Sequence, residues 1–114
     1  MSQKFLIVER DPLICQDLAE MLAMSHDDVA IITCHSLEEA ESKLSDVERL
    51  KVAFLSSSIA KISKTKLPMR VTEIGGRIIV INGTEAAEEK AATDWIFVPR
   101  PFTTAMIEAA LREV

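Results

Sequence analysis

The sequence predicts a single α/β domain, a three-layer sandwich in which a five-stranded parallel sheet carries helices on both faces. Five short runs, at residues 5–8, 29–32, 52–55, 78–81 and 95–98, are continuously apolar instead of alternating. That is the pattern of strands covered on both sides. The gaps between them hold 20, 19, 22 and 13 residues, each long enough for the crossover that a parallel pair requires. At 114 residues the chain has room for one core, and 1–114 reads as one domain without linker, repeat or low-complexity stretch.

The gaps read as helices with recognisable ends. Asp11-Pro12 offers an N-cap followed by proline at the first helical position, and Ile14, Leu18, Met21 and Leu22 then share a face,. Met24 is assigned to the same packing. Ser36 with Glu39 forms a capping box ahead of Leu37, Ala40, Leu44 and Val47,. Pro68 opens a third helix, with Leu67, Val71 and Ile74 on one face and Gly75-Gly76 closing it,. Thr84 caps a short fourth segment, 85–92, whose acids suit the positive end of a helix dipole,. From Thr103 onward, Met106, Ile107, Ala110, Leu111 and Val114 fall on one side.

Composition narrows the function classes. Apolar residues make up 48% and charged residues 27%, the balance of a soluble globular protein. The run that leads into Glu9 holds only four apolar residues, too few for a signal-peptide core, and no run approaches the ~20 residues of a membrane span,. The expected location is the cytoplasm. Cys15 and Cys34 have neither redox-pair nor zinc-site spacing and read as buried free thiols,. Asn82-Gly83-Thr84 matches a glycosylation acceptor, which means nothing without a secretory signal,.

A net charge of −5 argues against nucleic acid as a partner,. The charge is uneven: residues 51–77 carry six bases (Lys51, Lys61, Lys64, Lys66, Arg70, Arg77) and one acid, Glu73. The remainder holds seven bases and seventeen acids. A solvated face is the simplest reading of that stretch, and an acidic partner surface is the sharper one.

In open parallel sheets, ligands sit beyond the carboxyl ends of the strands. The residues to inspect are therefore Glu9-Arg10-Asp11, Ser56-Ser57-Ser58, Asn82-Gly83-Thr84 and Pro99-Arg100-Pro101. With three glycines in all and none after the first run, a phosphate-cradling glycine loop is absent, which disfavours nucleotide-binding folds. His26 and His35 are placed away from these strand ends. No serine with an adjacent base, Cys–His pair or metal-ligand cluster can be assembled, so the chain does not read as an enzyme.

Phe5-Leu6-Ile7-Val8-Glu9-Arg10-Asp11-Pro12 and Arg100-Pro101-Phe102 carry a likeness to a known family. The chain resembles, over nearly its whole length, the response-regulator receiver domain. The resemblance implies a flavodoxin-like sheet of order 2-1-3-4-5. It also implies phosphoryl transfer from a histidine kinase to an aspartate after the third strand. Two acids after the first strand would help hold Mg²⁺, a hydroxyl residue after the fourth would sense the phosphoryl group, and a lysine after the fifth would contact it.

Most of these positions are replaced here. Glu9 keeps the first acid, Arg10 stands for the second, and Ser56, or Ser57 with a one-residue shift, stands for the acceptor aspartate. Asn82 takes the hydroxyl position and Arg100 the lysine. One carboxylate facing two guanidinium groups gives this pocket a balance of +1, so Mg²⁺ binding is expected to be weak or absent. Glu9 is expected to pair with one arginine, leaving a structural ion pair or a site for a free anion. The favoured function is a pseudo-receiver that binds a signalling partner without aspartyl phosphorylation. By the family's habit it would work as a homodimer through a face that includes Ala87, Ala91, Trp95, Met106 and Ala110. The alternative is a working phosphorelay receiver with a shifted acceptor, for which Asp11 and Asp94 are the nearby acids.

Overall fold

A computed structural model describes residues 3–82 and 93–114. Its strands are β1 (Gln3–Val8), β2 (Val29–Cys34), β3 (Val52–Leu55), β4 (Arg77–Ile81) and β5 (Ile96–Val98). All pair in parallel in the order β2-β1-β3-β4-β5. The described helices are α1 (Pro12–Ser25), α2 (Leu37–Leu44), α3 (Ile59–Ser63), α4 (Leu67–Glu73) and α5 (Thr104–Arg112). The expected fourth segment, with Ala87 and Ala91, lies outside the described residues.

The two-residue pleat period divides each apolar run between two cores. Phe5, Ile7, Val52 and Phe54 face α1 and α5, where Leu18, Leu22 and Ile107 are fully enclosed. Leu6, Val8, Ala53 and Leu55 face the opposite layer and meet Leu44, Ile62, Leu67 and Val71 of α2, α3 and α4. This double coverage is why the runs contain no polar residue.

Local chemistry sets the helix starts. Asp11 Oδ1 accepts from the Leu13 amide at 2.9 Å, and Pro12 occupies the first turn of α1,. Ser36 Oγ accepts from the Glu39 amide at 3.0 Å, while Glu39 Oε1 accepts from the His35 amide at 2.7 Å. The return arm of the expected capping box thus reaches one residue further back. Thr103 Oγ1 accepts from the Met106 amide at 3.2 Å and starts α5.

α2 stops at Leu44, a turn before the apolar pattern ends. Arg70 of α4 reaches across, its Nε donating to the Leu44 carbonyl at 3.1 Å and its Nη2 to the Val47 carbonyl at 2.8 Å. Val47 remains buried outside the helix. α4 ends as expected at Gly75, whose φ of +83° suits glycine,. At Gly76 a Cβ would lie 2.9 Å from Val71 Cγ1, so the close return into β4 requires a residue without one.

Three expectations are corrected. Met24 is 89% exposed and does not pack. Ala110 is buried in the α1/α5 core, where no partner reaches it, and Met106 packs half-buried against the same core. The basic stretch is not one surface: Lys51 and Arg77 sit at the amino edge of the sheet, Lys61 beyond its carboxyl edge, and Arg70 turns inward to cap α2.

Candidate functional site

The parallel sheet delivers the ends of β1, β3, β4 and β5 to one edge. There they line an open cleft of about 720 Å³ with Glu9, Arg10, Asp11, Ser56, Ser57, Ser58, Lys61, Asn82 and Arg100. The five residues singled out for the pocket, Glu9, Arg10, Ser56, Asn82 and Arg100, all stand on this cleft. Register accounts for two of them. Val8 pairs with Leu55, and the Ser56 amide donates to the Val8 carbonyl at 2.9 Å, which sets Ser56 beside Glu9. The Asn82 amide donates to the Val98 carbonyl at 3.0 Å, tying the end of β4 to β5.

Glu9 is the buried charge of the described residues, at 5% exposure. Its Oε1 accepts from Arg100 Nη2 at 2.6 Å and its Oε2 from the Asp11 amide at 3.0 Å. A carboxylate withdrawn from water needs such partners. Arg100 is less withdrawn, with 40% of its side chain exposed. Asp11 is committed as the cap of α1. Asp94 precedes β5 and therefore belongs to the amino edge, away from the cleft.

Two residues missing from the expected site are present. His35 follows β2 directly, and its Nδ1 lies 3.0 Å from the Glu9 carbonyl oxygen. With Arg10, Ser36, Leu37, Glu38, Ser56, Ser57 and Lys61 it lines a neighbouring groove of about 320 Å³. The placement of His35 away from the strand ends is thereby corrected. Lys61 comes from α3, where Ser58 Oγ caps the turn by accepting from the Lys61 amide at 3.2 Å.

His26 lies elsewhere, edge-on to Phe5 and 3.4 Å from Glu108 Oε1. Neither cysteine is activated. Burial pushes the Cys34 thiol up to about 11, against a partial opposing pull from Lys43. Burial and the negative charges of Glu9 and Glu39 raise Cys15. Both stay protonated thiols in a neutral medium.

No protein-family model matches the sequence, and no curated protein does. Solved structures do match. A response regulator receiver protein from Burkholderia phymatum superposes with a TM-score of 0.74 at 17% identity, covering 97% of this chain and 96% of that one. A chain from an adenylate cyclase of Rhodopirellula baltica gives 0.76 at 16% identity, over 99% and 87%. An orphan response regulator of H. pylori gives 0.71 at 20%, over 97% and 98%.

The chain has the receiver fold. The cleft lies at the carboxyl edge of that fold, where the parallel strands deliver loop residues. What it offers chemically is two carboxylates, Glu9 bonded at both oxygens and Asp11 engaged as the cap of α1, with three cationic side chains and a run of serine hydroxyls. Among the described residues no cluster of three His, Cys, Asp or Glu side chains is placed to hold a metal ion, and no described helix is long and apolar enough to cross a membrane.

Proposed function

We propose that this chain is a pseudo-receiver, a cytoplasmic interaction module of two-component signalling that engages a protein partner without aspartyl phosphorylation. The observation that carries the reading is the 2.6 Å pair between Arg100 and buried Glu9 beside a serine at the end of β3. An acyl phosphate needs a carboxylate acceptor, and Ser56 has none to offer. Mg²⁺, the ion such chemistry uses, takes carboxylate and water oxygens in octahedral geometry. The donor set here does not fit it: Glu9 is neutralised by Arg100, Asp11 caps α1, and Arg10 adds a positive charge.

The signalling role draws support from neighbours of the same fold that are response regulator proteins. The partner surface belongs to this proposal as well. Of the expected face, half-buried Trp95 and Met106 remain candidates, whereas Ala110 is withdrawn into the core. A homodimer through that face is therefore less well supported than a heterologous signalling partner.

Mg²⁺ titration of backbone amide spectra tests the reading. The expected result is no saturable change at residues 9–11 and 56–58 up to about 20 mM, since an uncompensated pair of carboxylates is missing. Saturable shifts at those amides at low millimolar Mg²⁺ contradict it.

A further inference from the structure

We propose that the groove between the ends of β1, β2 and β3 is a metal-independent site for a phosphate monoester group. It deepens the pseudo-receiver reading, on which it rests in taking this edge to work without a metal ion. Arg10 and Lys61 line both this groove and the adjoining cleft, and neither has an acidic partner among the described residues. Elsewhere on this edge the charges are matched: Glu9 by Arg100, and Asp11 by the first turn of α1. Two cations therefore face the groove against one carboxylate, Glu38.

Two further features point to a ligand with several oxygens. Ser56 Oγ is shielded from water and has no hydrogen-bond partner in the described structure. A buried hydroxyl left unsatisfied is unfavourable, and rotation about its Cα–Cβ bond toward the groove that Ser56 lines would let it bond a ligand oxygen. The Glu9 carbonyl only accepts, so His35 Nδ1 carries the proton that it receives,. That leaves Nε2 of this exposed ring to accept from the P–OH of a phosphate monoanion,. A guanidinium, an ammonium, two serine hydroxyls and an imidazole exceed what the two oxygens of a carboxylate can use. The three terminal oxygens of a phosphate monoester match them better.

The source of the group is either a free anion or a phosphorylated side chain of a partner. Both are tested by titrating amide spectra of the intact chain in EDTA with inorganic phosphate and, separately, with N-acetyl-O-phosphoserine amide. Sodium chloride at matched ionic strength is the control. Saturable shifts confined to residues 10, 35–38 and 56–61 are expected with both ligands. Lys61→Ala is expected to weaken binding at least fivefold and Arg10→Ala/Lys61→Ala to abolish it; both side chains are exposed, so the variants fold. Phosphoserine binding tenfold tighter than phosphate supports the site with a modified partner as its source, and equal affinities support it with the free anion. Shifts reproduced by chloride, or unchanged affinity in the double variant, overturn the site. Such a failure leaves the pseudo-receiver reading standing, whereas Mg²⁺-dependent acyl phosphorylation overturns that reading without touching this titration.

Discussion

Replacing Arg100 by alanine removes the charge that faces Glu9, and its cost can be bounded from the geometry. Breaking a fully buried pair costs about 3–5 kcal/mol because the surviving charge is stranded. An exposed pair is worth about 0–1 kcal/mol. Here the Glu9 side chain is 6% exposed and that of Arg100 40%, and Oε2 keeps its bond from the Asp11 amide. The expected loss lies between these limits, at about 2 kcal/mol. Glu9→Gln strands only an arginine that already reaches water, so about 1 kcal/mol is expected. Urea denaturation of both single variants and the double variant completes a thermodynamic cycle. The expected coupling is at least about 1 kcal/mol, with an unchanged m-value and little change at 0.5 M salt. Additive effects, or an Arg100→Ala cost below about 0.5 kcal/mol, refute the claim that this pair neutralises the site.

Three further outcomes follow from the packing. Arg70→Ala leaves the Val47 carbonyl without its donor, while the Leu44 carbonyl keeps the Val47 amide, and is expected to cost about 1–2 kcal/mol; hydrogen exchange should speed up selectively at the end of α2. Gly76→Ala drives a Cβ to 2.9 Å from Val71 Cγ1 and 3.3 Å from the Leu50 carbonyl, with an expected loss of about 1–3 kcal/mol in the same denaturation assay. Because Cys34 is raised in the folded chain to about 11, the unfolded thiol ionises first. Its contribution to stability is full below the ordinary thiol range and is lost as pH climbs from there toward about 11. Denaturation midpoints should fall across that window less steeply in Cys34→Ala than in the parent, and an equal slope in both contradicts the assignment.

Most of the sheet was legible because burial on both faces forces polar residues out of the strands, and the apolar runs coincide with β1 to β5 to within two residues at each end. Asp11-Pro12, Ser36 and Thr103 were legible because each supplies a cap oxygen that the structure uses. The errors have equally physical origins. Reading the second run as ending at Ile32, when β2 continues through Thr33 to Cys34, hid His35 as a strand-end residue. One polar threonine masked the boundary. α3 is a single turn of five residues, too short for helical periodicity to register, so Lys61 was not placed at the site; the serine cap at Ser58 was the available signal. A small residue such as Ala110 fits a core and an interface equally well, and only the fold decides which side of α5 it takes.

Whether this receiver fold carries an aspartyl phosphate is decided by incubating the protein with Mg²⁺ and acetyl phosphate and recording its intact mass beside a phosphorylatable receiver. An unchanged mass is expected while the control gains one phosphoryl group. A gain of one phosphoryl group that hydroxylamine removes would show an acyl phosphate and contradict the pseudo-receiver reading.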